Sequence, residues 1–324
     1  MFDRQLFREG FIQTGLLFLF ALFLLLSSAL SAEYSLQFRA NNLAVYAEEQ
    51  ISSSQQAAFK RLDLRIDDLQ AKFGIYLDIP APIYLIKDKV SYNKLAVGKA
   101  KIVEFSDAFY SGANQHIYIR PLAEIEESYL KTLLHEYIHW YLENIFVQAP
   151  LWFHEGMATQ YSGQMGFERY VYFLQQSFWG RSSDLFRMSY AYPERQEDWQ
   201  IFYLSSSMAV RFMSERKQAQ WDRFWTTVAR VHRQNDKAVF SECFASAYRT
   251  SLYDFHREFA AYTKRLRYQY LFWGINSLLA LLLPVILILG FRARRKRMAL
   301  LPDLPEPEDE IIEATEEPEE ETKA

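Results

Sequence analysis

This sequence of 324 residues contains one cysteine and has no excess of positive charge. The single cysteine excludes an intramolecular disulfide, and we interpret Cys243 as a buried thiol. The formal net charge of −4 argues against a nucleic-acid partner. No internal repeat is visible. A chain of this length, half of it hydrophobic, can bury one sizeable core or two small ones.

The first 32 residues have the pattern of a targeting segment. Arg4 and Arg8 precede an apolar run that includes residues 16–26, and small residues follow it. We interpret residues 1–32 as a cleaved signal peptide. The alternative is an uncleaved anchor over residues 11–30, which is long enough to span a bilayer. In both cases the domain that follows is exported, because the arginines stay in the cytoplasm.

A second apolar segment covers residues 271–291 and is followed directly by the basic cluster Arg292–Arg297. Its length and its basic flank predict a transmembrane helix with a cytoplasmic C-terminal end, whereas the alternative is a buried core helix. Residues 292–324 are predicted to form a disordered cytoplasmic tail, first basic and then rich in Glu and Pro. The acidic part is a candidate binding segment for a cytoplasmic partner. The chain is therefore predicted to lie in the cell membrane, single-pass or two-pass.

Residues 33–267 lie between the apolar segments and are predicted to form one extracytoplasmic α+β domain. A small N-terminal sheet is expected, with strands at 34–38, 43–46, 83–86 and 116–119 and a helix at 48–72. A mainly helical part follows. Aromatic residues at helical spacing predict core helices at 167–178, 199–213, 221–231, 239–247 and 252–268.

The motif H-E-x-x-H is formed by His135, Glu136 and His139. Residues four apart lie one turn above each other on a helix, so both imidazoles can face one metal ion. Glu136 lies about 100° further round, where its carboxylate can act on a water molecule. The opposite face is apolar and is predicted to be buried. Its residues are Leu130, Leu133, Leu134, Tyr137, Ile138 and Tyr141.

The alternative is that the two histidines are inert, hydrogen-bonded residues of a buried helix. With only six histidines, a chance H-E-x-x-H is expected in on the order of one chain in a hundred. A third ligand would strengthen the metal interpretation, because catalytic zinc has three protein ligands and one open position.

Glu155 is the main candidate for that third ligand. It follows His139 by sixteen residues, and Pro150 can start a second helix that returns to the first. Glu143 and His154 are rival candidates. Glu143 shares one helical row with the two histidines, which does not close a tetrahedron, and His154 should point away if Glu155 points inward.

The two segments H-E-Y-I-H and P-L-W-F-H-E-G-M-A resemble the gluzincin metallopeptidases, in particular the bacterial peptidase MA-like family. The second motif of that family reads W-hydrophobic-x-E-G-x-A. The resemblance covers about residues 34–267. It implies that His135, His139 and Glu155 bind Zn²⁺ and that Glu136 is the general base.

The resemblance implies three further features. Strand 116–119 would be the sheet edge beside the cleft and could pair with an extended substrate. His116 on this strand could reach the centre, but we interpret it as an ordinary surface or core residue. Tyr203 corresponds to a tyrosine that could stabilise the developing oxyanion. Thr159 departs from the family pattern, because an acidic residue that can orient a ligand histidine often stands there.

The sequence therefore predicts a membrane-tethered zinc endopeptidase whose partner is a polypeptide substrate. One alternative is a non-catalytic membrane scaffold with a peptidase-like binding domain. An intact Glu136 argues against it, because a purely structural centre needs no general base. A metal-dependent hydrolase of a non-peptide bond is the other alternative.

Overall fold

The chain divides into two units, one ending at Arg267 and the other beginning at Tyr268. The structure, a computed structural model, describes residues 34–96, 107–120, 126–179 and 184–300. The predicted signal peptide or anchor at 1–32 and the acidic end of the tail lie outside these residues. The first unit combines a small sheet with many helices, so the predicted mixed α+β class is confirmed.

Five short strands form the sheet in the order β1-β2-β3-β5-β4. They are β1 (Ser35–Arg39), β2 (Leu43–Ala47), β3 (Ala81–Leu85), β4 (Ala108–Ser111) and β5 (His116–Ile119). The three middle strands run parallel, and the outer strands β1 and β4 are antiparallel to their neighbours. Strands β2 and β5 are mostly buried, and among the described strands β1 and β4 each have a neighbour on one side only.

The prediction that residues 116–119 form the sheet edge is wrong. Ile117 pairs with Ile83 on one side and with Tyr110 on the other, so β5 is an inner strand. The edge is β4, which folds back on β5 through a short turn in which Gln115 adopts a positive φ of 56°. The hairpin was missed because β4 has only four residues and its turn lacks a typical hairpin dipeptide.

Nine helices are present in the described residues. They are α1 (Ser53–Phe73), α2 (Lys89–Ala96), α3 (Glu127–Ile145), α4 (Leu151–Tyr161), α5 (Phe167–Phe178), α6 (Trp199–Arg211), α7 (Gln218–His232), α8 (Phe240–Tyr248) and α9 (Leu252–Met298). A π-helical turn, Phe212–Arg216, follows α6, and two short strands, β6 (Phe146–Val147) and β7 (Ala238–Val239), pair in parallel.

Helix α1 begins five residues later than the sequence pattern predicts. Ser52 accepts a hydrogen bond from the backbone N–H of Gln55, and the Gln55 side chain accepts one from the Ser52 N–H. This capping box satisfies backbone donors that the first turn leaves unpaired, so the helix starts there. It ends at Phe73, one residue beyond the predicted bound, where Gly74 adopts the left-handed conformation that glycine allows without strain.

The aromatic residues of the helical part form its core, as predicted. Phe153, Phe224, Phe240 and Phe244 are fully buried, with ring centroids 4.7–6.0 Å apart in the contacting pairs. Cys243 lies in the same region as a buried free thiol. These rings come from α4, α7 and α8, so the core fixes α4, the helix that carries Glu155.

Helix α9 contains an apolar window with a mean hydropathy of 2.3 that is exposed throughout. By length and composition this helix could cross a membrane. It also continues through the basic cluster to Met298, whereas we expected a disordered tail from residue 292. Arginine and lysine are good helix formers, so the cluster extends the helix by about two turns.

Candidate metal centre

Helix α3 presents two histidines from consecutive turns of one face. The ring centroids of His135 and His139 lie 4.9 Å apart. All six apolar residues predicted for the opposite face are buried, and the helix packs against β4, α1 and α4. The hydroxyl of Tyr141 on that face donates a hydrogen bond to the Ile75 carbonyl oxygen. Burial of one face therefore holds the other toward the centre.

Helix α4 places Glu155 opposite the two histidines. Its Oε2 atom lies 3.5 Å from His135 Nε2 and 3.6 Å from His139 Nε2, and one ligand atom from each residue lies within 4.8 Å of the others. A tetrahedral ion with bonds of about 2.0–2.2 Å, as for zinc, separates its ligand atoms by roughly 3.3–3.6 Å. The arrangement fits a single metal ion.

The two carboxylate oxygens of Glu155 have different environments. Oε1 accepts a hydrogen bond from the hydroxyl of Tyr192, whereas Oε2 is buried and makes no hydrogen bond within the described residues. An orphaned buried acceptor that faces two imidazoles is expected where a cation binds. Tyr192 was missed from the sequence, because it lies 37 residues beyond Glu155 in an irregular segment and belongs to no motif.

The charges at the centre favour an ionised Glu155. Burial raises the pKa of this carboxyl, but His139 and His135 lower it further, so that it lies well below its usual value. Burial lowers the pKa of His139. The negative charge of Glu155 and its hydrogen bond raise this pKa by more, to about 9. The carboxylate is therefore negative at neutral pH, as a metal ligand must be.

Glu136 is held by the edge strand and not by the three candidate ligands. The backbone N–H of Tyr110 in β4 donates a hydrogen bond of 2.7 Å to Glu136 Oε2. Burial raises the pKa of Glu136, while His135, His139 and this N–H lower it by less. A raised pKa is closer to the operating pH, and a general base is most efficient when its pKa is near that pH.

The rival ligands Glu143 and His154 do not belong to the group that could hold a metal ion. Glu143 Oε2 accepts a hydrogen bond of 2.7 Å from the hydroxyl of Tyr110. The ring of His154 stacks on His139 with centroids 6.0 Å apart, and His116 lies against Tyr84 at 4.5 Å. Among the described residues, only His135, His139 and Glu155 form a group that could hold a metal ion.

Tyr203 lies beside the centre on α6. Its ring centroid is 6.4 Å from that of His135, and both residues line one cavity together with Glu136. Burial, followed by the charges of Glu155 and Glu136, raises its pKa, so the hydroxyl keeps its proton at neutral pH. This hydroxyl makes no hydrogen bond within the described residues and can donate to a ligand in the cavity.

Thr159 lines the same cavity but does not orient His135. The Thr159 Oγ1 and His135 Nδ1 atoms are both buried, and neither makes a hydrogen bond within the described part of the chain. An acidic residue at this position could accept a hydrogen bond from the ring and fix it. The threonine leaves that histidine positioned by helix packing alone.

Helix α4, which carries Glu155, and helix α6, which carries Tyr203, are in close contact. Gly156 allows this contact, because a Cβ atom there would lie 2.3 Å from the backbone oxygen of Ser206 and 2.7 Å from Val210 Cγ2. Backbone atoms cannot move aside as a flexible side chain can. The glycine therefore sets the distance between the helix that carries the ligand and the helix that carries Tyr203.

We expect Gly156→Ala to lower the free energy of unfolding by about 1–3 kcal/mol or more, because α6 must shift away from α4. Metal affinity should fall as well, since Glu155 is the adjacent residue. Thermal unfolding of the full-length protein in detergent measures the first effect, and zinc titration measures the second. Gly166→Ala is the matched control, because its Cβ would enter open space. Equal melting temperatures for the two variants would contradict the packing argument.

Comparison with known proteins does not assign the chain to a family. No protein-family model matches it, and no curated protein is significantly similar to it. The interpretation of the centre therefore depends on its residues and their geometry.

Proposed function

We propose that this protein is a membrane-tethered, zinc-dependent endopeptidase that cleaves polypeptide substrates. The observation that carries the proposal is the convergence of His135, His139 and Glu155 on one position, with a carboxylate that is not a ligand, Glu136, directly beside them. A purely structural zinc site is closed by four protein ligands, whereas three ligands leave a position open for chemistry.

Zinc, when bound, supplies a Lewis acid that polarises a carbonyl oxygen and lowers the pKa of water. His135, His139 and Glu155 would hold the ion. Glu136 takes a proton from the attacking water and delivers it to the leaving amine. The hydrogen bond from the Tyr110 N–H keeps this carboxylate directed toward the centre, and it still leaves the second carboxylate oxygen free for proton transfer.

Tyr203 is the proposed donor to the developing oxyanion. Two tyrosine hydroxyls lie near the centre, but that of Tyr192 is already committed to Glu155. The Tyr203 hydroxyl lines the cavity and stays protonated, so it can donate a hydrogen bond as negative charge develops on the substrate.

The edge strand β4 is the proposed binding surface for an extended substrate backbone. Strand β4 has a neighbour on one side only among the described strands, and it lies against α3. A substrate strand added on the other side of β4 would extend the sheet by main-chain hydrogen bonds. Strand β5 cannot take this role, because both of its edges are paired.

We place the catalytic domain outside the cytoplasm. This part of the proposal is supported by Arg4 and Arg8 before the first apolar run and by the cluster Arg292–Arg297 after the second. Basic flanks are retained inside, and a long intervening domain is translocated largely regardless of its own charge. Substrates are then proteins of the same extracytoplasmic compartment.

The full-length protein, purified in detergent and loaded with one equivalent of zinc, is expected to cleave an unfolded reporter polypeptide at internal bonds. A chelator should abolish cleavage, and zinc should restore it, because the ion polarises the carbonyl. Mass spectrometry identifies the new termini. Zinc-loaded protein that leaves polypeptides intact but hydrolyses an ester would favour a non-peptide hydrolase. Protein that cleaves neither would favour the scaffold alternative.

A further inference from the structure

A cavity of about 460 Å³ adjoins the metal centre on the side of His135 and Glu136. Helix α3 forms one wall, and the segment between α4 and α5, the first turn of α5 and the start of α6 form the others. Its volume lies within the range of pockets that bind small molecules. A substrate whose scissile carbonyl sits at the metal would extend a neighbouring group into this cavity.

The lining of this cavity combines amide side chains with apolar ones. Three amide side chains line it, those of Gln164, Gln196 and Gln200, next to Trp199 and Leu204. An apolar substrate side chain would remove these amides from water without offering them hydrogen bonds, which is unfavourable. The walls therefore suit a group that accepts or donates hydrogen bonds.

One charged side chain in the cavity has no partner among the residues that the structure describes. The Asp107 carboxylate forms an ion pair of 2.9 Å with Arg120, and Glu136 is held by the Tyr110 N–H. Arg169, in the first turn of α5, makes no hydrogen bond or ion pair with any other residue that the structure describes. Its positive charge is the one that the cavity offers to a ligand.

We propose that Arg169 binds a carboxylate group of the substrate next to the scissile bond, an inference that rests on the proposed peptidase function. A guanidinium presents a planar set of N–H donors that matches the two oxygens of a carboxylate. The surrounding amide groups can donate further hydrogen bonds to the same oxygens. Two sources have this chemistry, an acidic side chain and the C-terminal carboxylate of the substrate.

The expected preference is moderate, because Arg169 is exposed and solvent screens its charge. We expect kcat/KM for a peptide with Glu at the preferred position to exceed that for the Gln peptide by roughly three- to tenfold. Arg169→Gln should reduce this ratio to about 1. Arg169→Glu should reverse the preference, so that the corresponding Lys peptide becomes the better substrate.

The test uses full-length, zinc-loaded protein in detergent and a set of peptides with Glu, Gln or Lys at each of three positions on both sides of the cleaved bond. Each peptide is made with a free and with an amidated C-terminus, which separates the two carboxylate sources. Arg230→Glu on α7 is the matched control. It makes the same change in net charge at an exposed residue outside the cavity.

A binding assay tests the inference independently of cleavage. It measures, by fluorescence anisotropy, the affinity of the zinc-loaded Glu136→Gln variant for the same peptides. A Glu-over-Gln preference that Arg169→Glu reverses and Arg230→Glu preserves supports the proposal. A preference for the free over the amidated C-terminus, equal in the Glu and Gln peptides and lost in Arg169→Gln, assigns the bound carboxylate to the chain end. An unchanged preference in Arg169→Glu overturns the proposal. Selective binding by a wild-type protein that cleaves none of the peptides overturns the peptidase function and retains carboxylate recognition.

Discussion

Glu136→Gln is expected to reduce kcat/KM for any substrate by about 10²–10⁴-fold, the usual contribution of a general base. The amide has nearly the shape of the carboxylate, and its oxygen can still accept the hydrogen bond from the Tyr110 N–H. It cannot take a proton from water. The fold and the metal content should therefore stay as they are while catalysis is lost.

The measurement compares steady-state cleavage by the two proteins after zinc analysis has established equal occupancy. Circular dichroism confirms that the variant is folded. Full activity in a zinc-loaded Glu136→Gln protein would remove the general-base assignment. A variant that had lost its zinc would instead indicate that Glu136 helps to hold the ion.

Glu155→Ala is expected to weaken zinc binding by more than about 100-fold. Loss of a residue that only hydrogen-bonds to a metal ligand typically weakens metal binding by about 10- to 100-fold, and loss of a ligand itself should cost more. Helices α3 and α4 remain, but two histidines alone leave the ion with half of a tetrahedral ligand set. Zinc titration against a chromophoric chelator gives the dissociation constant. His135→Ala and His139→Ala should lose most of their zinc in the same assay.

Glu143→Gln provides the matched control, since Glu143 stands one helical turn beyond His139 and its carboxylate is bound by the Tyr110 hydroxyl. This variant should bind zinc with unchanged affinity. If Glu155→Ala bound zinc with wild-type affinity and Glu143→Gln bound it more weakly, Glu143 and not Glu155 would be the third ligand.

The sequence predicts the metal-binding group well because its determinants are local. Two histidines at a four-residue spacing, on a helix whose opposite face is apolar, must face the same way. Glu155 could be predicted because Pro150 marks the start of α4, whose backbone N–H groups at Phe153 and His154 bond back to the Pro150 carbonyl. The spacing of sixteen residues leaves room for little except a turn and a returning helix.

Contacts distant in sequence could not be predicted in the same way. Tyr192 reaches Glu155 only because α5 and the segment after it fold back over α4. The edge position of β4 depends on a hairpin whose strands carry no distinctive alternation. Gly156 is part of the sequence motif, but the need for a glycine there follows from the nearby Ser206 carbonyl oxygen, which leaves no room for a Cβ atom.

The hydrogen bond from Tyr192 to Glu155 also has a consequence for the choice of ion. With one carboxylate oxygen occupied, the centre offers two imidazole nitrogens and a single free oxygen. Calcium takes six to eight oxygen ligands and magnesium requires an octahedral set, so neither finds its preferred surroundings here. A four-coordinate ion that accepts imidazole does. Under the proposed zinc function, the Tyr192 hydroxyl, which lies outside the H-E-x-x-H helix, would thus contribute to the discrimination between these ions.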